Sequence, residues 1–178
     1  MVVFKKDGLC VRQLCQDDAA LLLKWLTTPD VLKFYEGRDH PFNLERVQEK
    51  FYNQDERPQK NIVEFEGRPI GYLQFYMAHP ADVMMADAWV NDIVYGMDQF
   101  IGEPTYWNQG LGTKLVKMMT HYLIETKKAD RIILDPQVTN TRAIKCYEKC
   151  GFKKVLRLPK HEYHEGAYRD CWLMTFEK

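Results

Sequence analysis

The chain has 178 residues, of which 46% are hydrophobic and 28% charged, so we expect one globular domain over residues 1–178 and exclude a disordered or fibrous protein. Its 25 basic and 25 acidic residues cancel, which removes the net charge that would attract nucleic acid or a membrane surface. No apolar run reaches the about 18 residues of a membrane span, and five cysteines without a CxxC pair indicate free thiols, so a cytoplasmic location is predicted.

The charge is unevenly distributed along the chain. Residues 69–113 contain no Lys or Arg and five acids, a formal charge of −5 that leaves +5 on the remainder. Such a segment would attract a cationic ligand if its carboxylates line a cleft, and it would be a solvated acidic loop if they do not. The five acids are Asp82, Asp87, Asp92, Asp98 and Glu103.

The first third of the chain predicts one strand and two helices. Residues 9–14 alternate as a first strand. Acidic residues then precede a helix over 19–26, which is expected to stop before Pro29. A second helix is predicted over 44–51, with Asn43 as its N-terminal cap.

A hairpin and a further strand are predicted next. Two β-rich runs, 61–66 and 69–77, flank the short turn Gly67-Arg68. Residues 92–98 form the next strand, and Gly96 within it indicates a bulge or a close backbone approach.

The remaining elements alternate between helices and strands. A Gly-rich turn precedes an amphipathic helix over 113–125, and a buried strand follows over 131–134. Asn140 caps a helix that ends at Gly151, and two late strands cover 152–158 and 170–176. The order predicts an α/β (α+β) protein with a mixed sheet.

The segment 107–114, Trp-Asn-Gln-Gly-Leu-Gly-Thr-Lys, lies between a strand and a helix. Glycines at a helix start let backbone N–H groups face an anion such as phosphate, although a simple helix-entry turn has the same pattern. The spacing is neither that of a Walker loop nor that of a complete dinucleotide-binding fingerprint.

The segment 140–152 narrows the interpretation. Asn140, Ala143, Tyr147 and Gly151-Phe152 at these spacings resemble the GCN5-related N-acetyltransferase superfamily. The resemblance implies a central, mostly antiparallel sheet flanked by helices, and acetyl-CoA as co-substrate with no metal. It also implies that acetyl-CoA is held by Asn108, Gln109, Gly110, Leu111, Gly112, Thr113, Lys114, Asn140, Ala143 and Tyr147. The family's loop usually opens with Gln or Arg, where this chain has Trp107.

A wider likeness indicates the substrate. The chain resembles aminoglycoside 6'-N-acetyltransferases, most of all the acetyltransferase half of the bifunctional acetyltransferase–phosphotransferase family; the segments are 24–27, 34–39, 92–107, 134–136 and 161–166. The resemblance implies transfer of an acetyl group to the 6'-amine of polycationic antibiotics, and hence resistance. No phosphotransferase part is expected within these residues.

The chemistry of amide formation suggests roles for individual residues. An alkylamine has a pKa of about 10.4 and attacks only when neutral, so the site must bind a cation and remove its proton. A carboxylate can do both, and Asp98 is therefore predicted to bind the substrate and act as general base. Tyr147 would protonate the departing thiolate, and a backbone N–H of strand 92–98 would stabilise the oxyanion. Further predicted substrate contacts are Asp135, Tyr35, Gln74 and Tyr76.

Other interpretations remain open from sequence alone. The substrate could be another amine, such as a polyamine, a siderophore precursor or a protein N-terminus, or the chain could be a non-catalytic acyl-CoA sensor. Cys146 and Cys150 could form an acetyl-enzyme, but no nearby His would activate them, so direct transfer in a ternary complex is favoured. Residues 161–166 are expected to form a turn without metal, and no pattern demands more than a monomer or weak dimer.

Overall fold

The structure, a computed structural model, describes residues 1–53, 58–78 and 89–178. The described strands are β1 (Val2–Lys6), β2 (Leu9–Gln13), β3 (Gln59–Phe65), β4 (Arg68–Met77), β5 (Val94–Ile101), β6 (Arg131–Leu134), β7 (Lys153–His164) and β8 (Ala167–Glu177). The described helices are α1 (Ala19–Trp25), α2 (Pro29–Leu32), α3 (Leu44–Tyr52), α4 (Leu111–Glu125) and α5 (Thr141–Lys149). None of these helices is long and apolar enough to cross a membrane.

The strands form one mixed sheet in the order β1-β2-β3-β4-β5-β6-β8-β7. β2 is antiparallel to both β1 and β3, and β6 is antiparallel to β8. The pair β5–β6 is parallel. The predicted fold class, a mixed and largely antiparallel sheet with helices, is thereby confirmed.

The chain contacts define two compact units. The first comprises Met1–Gln74, Gln99–Gly112 and Tyr163–Ala167. The second comprises Phe75–Asp98, Thr113–Glu162 and Tyr168–Lys178. The expected single acetyltransferase domain over residues 1–178 stays a prediction.

The first unit has a core rich in rings. α1 contributes Leu22 and Trp25, neither of which is exposed to solvent, and α3 contributes Val47. Phe51 meets Tyr72 edge to face at 5.1 Å between ring centroids. The predicted cap of α3 is confirmed, because the Asn43 side chain accepts a hydrogen bond from the Arg46 amide at 2.8 Å.

The second unit has its own apolar cluster around β5, β6 and β8. Val94, Cys171 and Leu173 are buried there together with Leu158 of β7, and Ile133 packs against them. The predicted apolar face of α4 is largely buried, including Leu115, Met118, Met119 and Leu123. The period of 3.6 residues therefore identified the packed side of this helix correctly.

Two early elements escaped the sequence prediction. β1 forms a hairpin with β2 across Asp7-Gly8, both with positive φ (49° and 83°). Asp-Gly is a favoured pair for this turn, so the residues carried the information and the short strand was overlooked. The sequence predicts that Pro29 ends the preceding helix, but in the structure α2 begins at Pro29. Proline also suits the first turn of a helix.

The late strands differ from the prediction as well. β7 continues to His164, so most of the segment 161–166 expected to be a turn is strand. The turn is Glu165-Gly166, whose φ angles are 49° and 77°. Residues 159–164 are mostly polar and mostly exposed, so they gave no alternating hydrophobic pattern from which the length of β7 could be predicted.

Gly102 lies directly against the indole of Trp25. A Cβ at this glycine would come within 2.3 Å of the ring, and Trp25 is fully buried. Trp25 is also held by its indole N–H, which donates to Glu103 at 2.9 Å. The ring therefore has no room to move away from an added methyl group.

We predict that Gly102→Ala lowers the free energy of unfolding by about 1–3 kcal/mol, the usual cost of overpacking. At this chain length the melting temperature should fall by about 3–10 °C, measured by thermal unfolding followed by circular dichroism. Thr105→Ala on the neighbouring exposed turn is the control and should change stability by less than about 0.5 kcal/mol. An unchanged melting temperature for Gly102→Ala would contradict this packing.

Candidate active site

Two of the predicted acidic residues lie at the same end of two neighbouring strands. The parallel pairing of β5 with β6 includes Gly96 opposite Ile133. Asp98 and Asp135 each lie two residues beyond this last paired position, Asp98 within β5 and Asp135 directly after β6. Both carboxylates thus follow the paired part of β5 and β6 at the same end; Asp98 is half-buried and the Asp135 side chain is 47% exposed.

Tyr76 of β4 lies against β5 at Gly96. Side chains alternate along a strand, so Gly96 and Asp98 face the same side of the sheet. A Cβ at Gly96 would meet the Tyr76 ring at 2.5 Å, which explains the glycine: it makes room for this ring. The sequence predicts a bulge or a close backbone approach at Gly96, whereas the group found against it is the Tyr76 side chain, on the face of β5 that Asp98 shares.

Beyond this point β5 and β6 differ in length. β6 ends at Leu134, whereas β5 continues to Ile101. Backbone groups of β5 after Gly96 therefore extend past the end of their parallel partner. This is the place where the sequence predicts a backbone N–H for the oxyanion, and the assignment of a particular donor stays a prediction.

Asp135 has a partner that the sequence did not indicate. The Nε2 atom of His161, on β7, lies 2.9 Å from Asp135 Oδ2. This hydrogen bond, more than the opposing effect of burial, raises the pKa of His161 above its ordinary value. The segment 161–166, for which the sequence predicts a turn without metal, thus supplies an imidazole to a predicted substrate contact.

The Gly-rich segment before α4 has the backbone shape of an anion-binding loop. Asn108 and Gly110 have positive φ angles of 61° and 77°, and both are exposed. A Cβ at Gly110 would meet nothing within 4 Å, so the space over the loop is open. Trp107, at the position where the family usually has Gln or Arg, donates its indole N–H to the Ile101 carbonyl at 2.8 Å and so anchors the loop. These features fit a bound pyrophosphate.

α5 is fixed at both ends by the residues that carry the family resemblance. The Asn140 side chain accepts from the Ala143 amide at 3.2 Å, which confirms the predicted cap. At the other end Phe152 N–H donates to the Tyr147 carbonyl at 3.1 Å and Gly151 N–H to Glu148 at 3.0 Å, the Schellman arrangement. Gly151 has a φ of 94°, which glycine adopts readily.

Tyr147 is held by this helix end. Its ring packs on Phe152 with centroids 6.1 Å apart, and the side chain is half-buried. The ring thus has a structural role in addition to the acid role predicted for its hydroxyl. Replacing it by Phe would keep the packing and remove only the hydroxyl.

Thr113 of α4 contacts the two thiols of α5. Its hydroxyl lies 3.4 Å from Cys146 Sγ, and Cys150 donates to its carbonyl at 3.5 Å. The hydrogen bond with Cys150 lowers the pKa of Cys146, while the same interaction and burial raise that of Cys150. Cys146 is the more accessible of the pair, because Cys150 is buried.

Two other predicted substrate contacts belong to the first unit. Tyr35 packs on Phe100 at 4.6 Å between centroids, and Phe100 packs on Tyr72 at 5.7 Å. The Tyr72 hydroxyl donates to Gln74 Oε1 at 2.8 Å. Tyr35 and Gln74 are therefore connected through one aromatic cluster, and their contact with a substrate stays a prediction.

The charge of residues 69–113, the segment with five acids and no Lys or Arg, is partly neutralised by basic residues outside that segment. Glu103 pairs with Lys24, and Asp92 accepts from Arg131 at 3.0 Å. These two carboxylates have structural roles, so the charge of −5 overstates the field that a ligand would meet. Asp82 and Asp87 lie outside the described residues, which leaves Asp98 as the member of the segment placed at the site.

The segments 34–39 and 161–166, which belong to the wider likeness, also have structural explanations. Arg38 donates to both oxygens of Glu165, at 2.5 and 2.7 Å, and His164 Nε2 lies 3.1 Å from the Lys33 carbonyl. Within the described part of the chain no group of three or more His, Cys, Asp or Glu side chains could hold a metal ion.

The family follows from comparison with known proteins. Residues 15–158 match the model of the acetyltransferase (GNAT) domain. The chain belongs to the GNAT acetyltransferase family.

The chain is also similar to particular proteins. The chain is 31% identical over 161 residues to the aminoglycoside N(6')-acetyltransferase type 1 of Klebsiella pneumoniae, covering 86% of this chain and 78% of that protein. The structure of AAC(6')-Ib with ribostamycin and coenzyme A is similar, with a TM-score of 0.78, 28% identity, and coverage of 97% of this chain and 94% of that chain. The AAC(6')-Ib complex with coenzyme A and kanamycin has a TM-score of 0.76 at 28% identity, covering 96% and 95%.

We predict that Cys146 is alkylated by iodoacetamide at pH 7 at least about tenfold faster than Cys150, because the thiolate is the reacting form. Mass spectrometry of peptides from a Cys15→Ser variant, which lacks an exposed thiol, would give the two rates. Thr113→Val should slow alkylation of Cys146 by removing the hydroxyl beside it. Equal rates at both cysteines would contradict the assignment.

Proposed function

We propose that this chain is an aminoglycoside 6'-N-acetyltransferase, a transferase that moves an acetyl group from acetyl-CoA to the 6'-amine of aminoglycoside antibiotics and so confers resistance. The observation that carries the proposal is that Asp98 and Asp135 both follow the parallel-paired part of β5 and β6, each two residues beyond the pair Gly96–Ile133. Two negative groups at one edge suit a substrate with several ammonium groups. Relatives whose names and bound molecules include aminoglycosides support it.

Asp98 has the position required to handle the reacting amine. A half-buried carboxylate attracts an ammonium group and accepts its proton, which leaves the nitrogen lone pair free to attack. Asp135 is more exposed and binds a second amine, which fixes the orientation of the antibiotic. Tyr76 gives the sugar rings a flat surface on the same side of the sheet.

The cofactor side of the site is formed by the loop and by α5. Acetyl-CoA supplies the acetyl group as a thioester. The backbone from Asn108 to Lys114, at the start of α4, holds the pyrophosphate, and Asn140 with Ala143 lies along the pantetheine arm. Asn140 uses its side-chain oxygen as a helix cap, which leaves its amide N–H₂ group to donate to a ligand.

Tyr147 and the end of β5 complete the chemistry. The Tyr147 hydroxyl donates a proton to the departing sulfur, and its ring is fixed by Phe152. A backbone N–H of β5 beyond Gly96 stabilises negative charge developing on the thioester oxygen. The amine attacks directly, and neither Cys146 nor Cys150 carries the acetyl group. A cytoplasmic location, where acetyl-CoA and free thiols occur together, and a monomer or weak dimer belong to the same proposal.

Kanamycin and its 6'-hydroxyl analogue test the reaction and its position together. With acetyl-CoA, the protein should release free thiol on addition of kanamycin and very little on addition of the analogue, because only the former carries the 6'-amine. Thiol release is followed by a chromogenic disulfide reagent. Silence with every aminoglycoside, despite binding of acetyl-CoA, would favour another amine substrate or a sensor.

Two substitutions test the roles of the catalytic residues. Asp98→Asn should lower kcat/KM for kanamycin by about 10²–10⁴, since it removes both the charge and the base. Tyr147→Phe should lower kcat by about 10² with little change in KM for acetyl-CoA, because the ring packing is kept.

Asp30→Asn and Tyr168→Phe are matched controls at exposed positions and should retain wild-type rates. Cys146→Ser with Cys150→Ser should also keep most of the activity, since transfer is direct. Loss of turnover in the double serine variant with normal folding would favour an acetyl-enzyme instead.

A further inference from the structure

His161 and Asp135 form an accessible pair beside the proposed substrate carboxylates. His161 Nε2 lies 2.9 Å from Asp135 Oδ2, and the side chains are 38% and 47% exposed. The two residues are 26 positions apart, one on β7 and the other just after β6. An exposed carboxylate in contact with an imidazole can exchange this partner for an ammonium group of a ligand.

Neighbouring charges are already engaged. Glu162 accepts from Gln137 Nε2 at 3.0 Å, and Asp170 of β8 accepts from Arg157 at 2.8 Å and from the Lys160 amide at 2.9 Å. The groups that act on the charge of His161 are Asp135 and, more weakly, Glu162.

The buried Cys171 lies beside Glu162, with its Sγ atom 3.9 Å from Glu162 Oε2. Its pKa is raised to about 12 by burial first and then by Glu162 and Asp135. The thiol therefore stays protonated between pH 6 and pH 8 and does not contribute to charge changes there. His161 is the group of this cluster whose ordinary pKa falls near neutrality.

The sign of the pH effect follows from the contact. Because Asp135 favours the protonated imidazole, His161 remains charged to a higher pH than an isolated histidine. Below that pH the pair carries no net charge, and above it the pair carries the full negative charge of Asp135. An incoming ammonium group competes with the imidazolium for Asp135. It therefore binds better at the higher pH, where His161 is neutral and the pair is negatively charged.

We propose that His161 is a positioning residue for substrate recognition, which orients Asp135 and sets how much negative charge this carboxylate offers to a second ammonium group of the antibiotic. The inference rests on the proposed function, since it concerns binding at the same site. It adds a residue of β7 to the determinants of affinity. Protonation of His161 weakens the binding of a polycation, and binding of the polycation by reciprocity favours neutral His161.

Two substitutions separate charge from orientation. His161→Gln keeps an N–H donor for Asp135 but cannot become charged, and His161→Lys is charged throughout the neutral range. KM and kcat for kanamycin are measured at pH 6, 7 and 8 with saturating acetyl-CoA. The amines of kanamycin titrate identically with every variant, so differences between variants report the protein.

Between pH 8 and pH 6 the KM of the wild type should rise about two- to fivefold more than that of His161→Gln, the range expected for one exposed charge pair. His161→Lys should already have a KM raised by about the same factor at pH 8. kcat should stay within about twofold for both variants, because Asp98 and Tyr147 are untouched. His40→Gln is the matched control, since His40 is another exposed histidine, 3.5 Å from Asp39, and it should behave as the wild type.

A second readout does not depend on turnover. Side-chain NMR of the protein with coenzyme A should show the pKa of His161 falling when kanamycin is added, while that of His40 stays constant. Identical pH profiles for wild type and His161→Gln, together with an unchanged titration of His161 on binding, would overturn this inference while the proposed function stands. Absence of any aminoglycoside turnover or binding by the wild type would overturn the proposed function and the inference with it.

Discussion

The site depends on the parallel pairing of β5 with β6. Parallel strands run in the same direction, so Asp98 and Asp135, each two residues beyond the pair Gly96–Ile133, follow the paired region at the same end. An antiparallel pair would have placed the two carboxylates at opposite ends. Because β5 continues to Ile101 whereas β6 ends at Leu134, the same arrangement leaves β5 backbone beyond the paired region, next to Asp98. Gly96 contributes by admitting the Tyr76 ring to this face.

A second constraint concerns α5 and its partner α4. Asn140 and Gly151 fix where α5 begins and ends, and these local hydrogen bonds hold Tyr147 in one place. Thr113, near the start of α4, contacts Cys146 of α5. The helix that follows the Gly-rich segment and the helix that carries Tyr147 are therefore packed together. Residues that look like a catalytic signature thus also have direct structural functions.

The sequence predicted the parts of the fold that depend on near neighbours. The Asn43 and Asn140 caps and the glycine end of α5 require residues only three or four positions apart, and all three were correct. Contacts between distant positions could not be predicted. Glu103 pairs with Lys24, 79 positions away, and His161 with Asp135, 26 away, and no local pattern announces either. For this reason the sequence of residues 69–113 suggested more negative charge than remains once Lys24 and Arg131 have paired with its acids. The contact of His161 with Asp135 was likewise not predicted.

The central claim is that Asp98 and Asp135 together bind the amines of the substrate, and a crystal structure with coenzyme A and kanamycin tests it most directly. The account predicts the 6'-nitrogen within hydrogen-bonding distance of Asp98 and a second amine at Asp135, with the pyrophosphate against the Asn108–Lys114 backbone. Kanamycin bound elsewhere, or bound with its 6'-amine remote from Asp98, would contradict it.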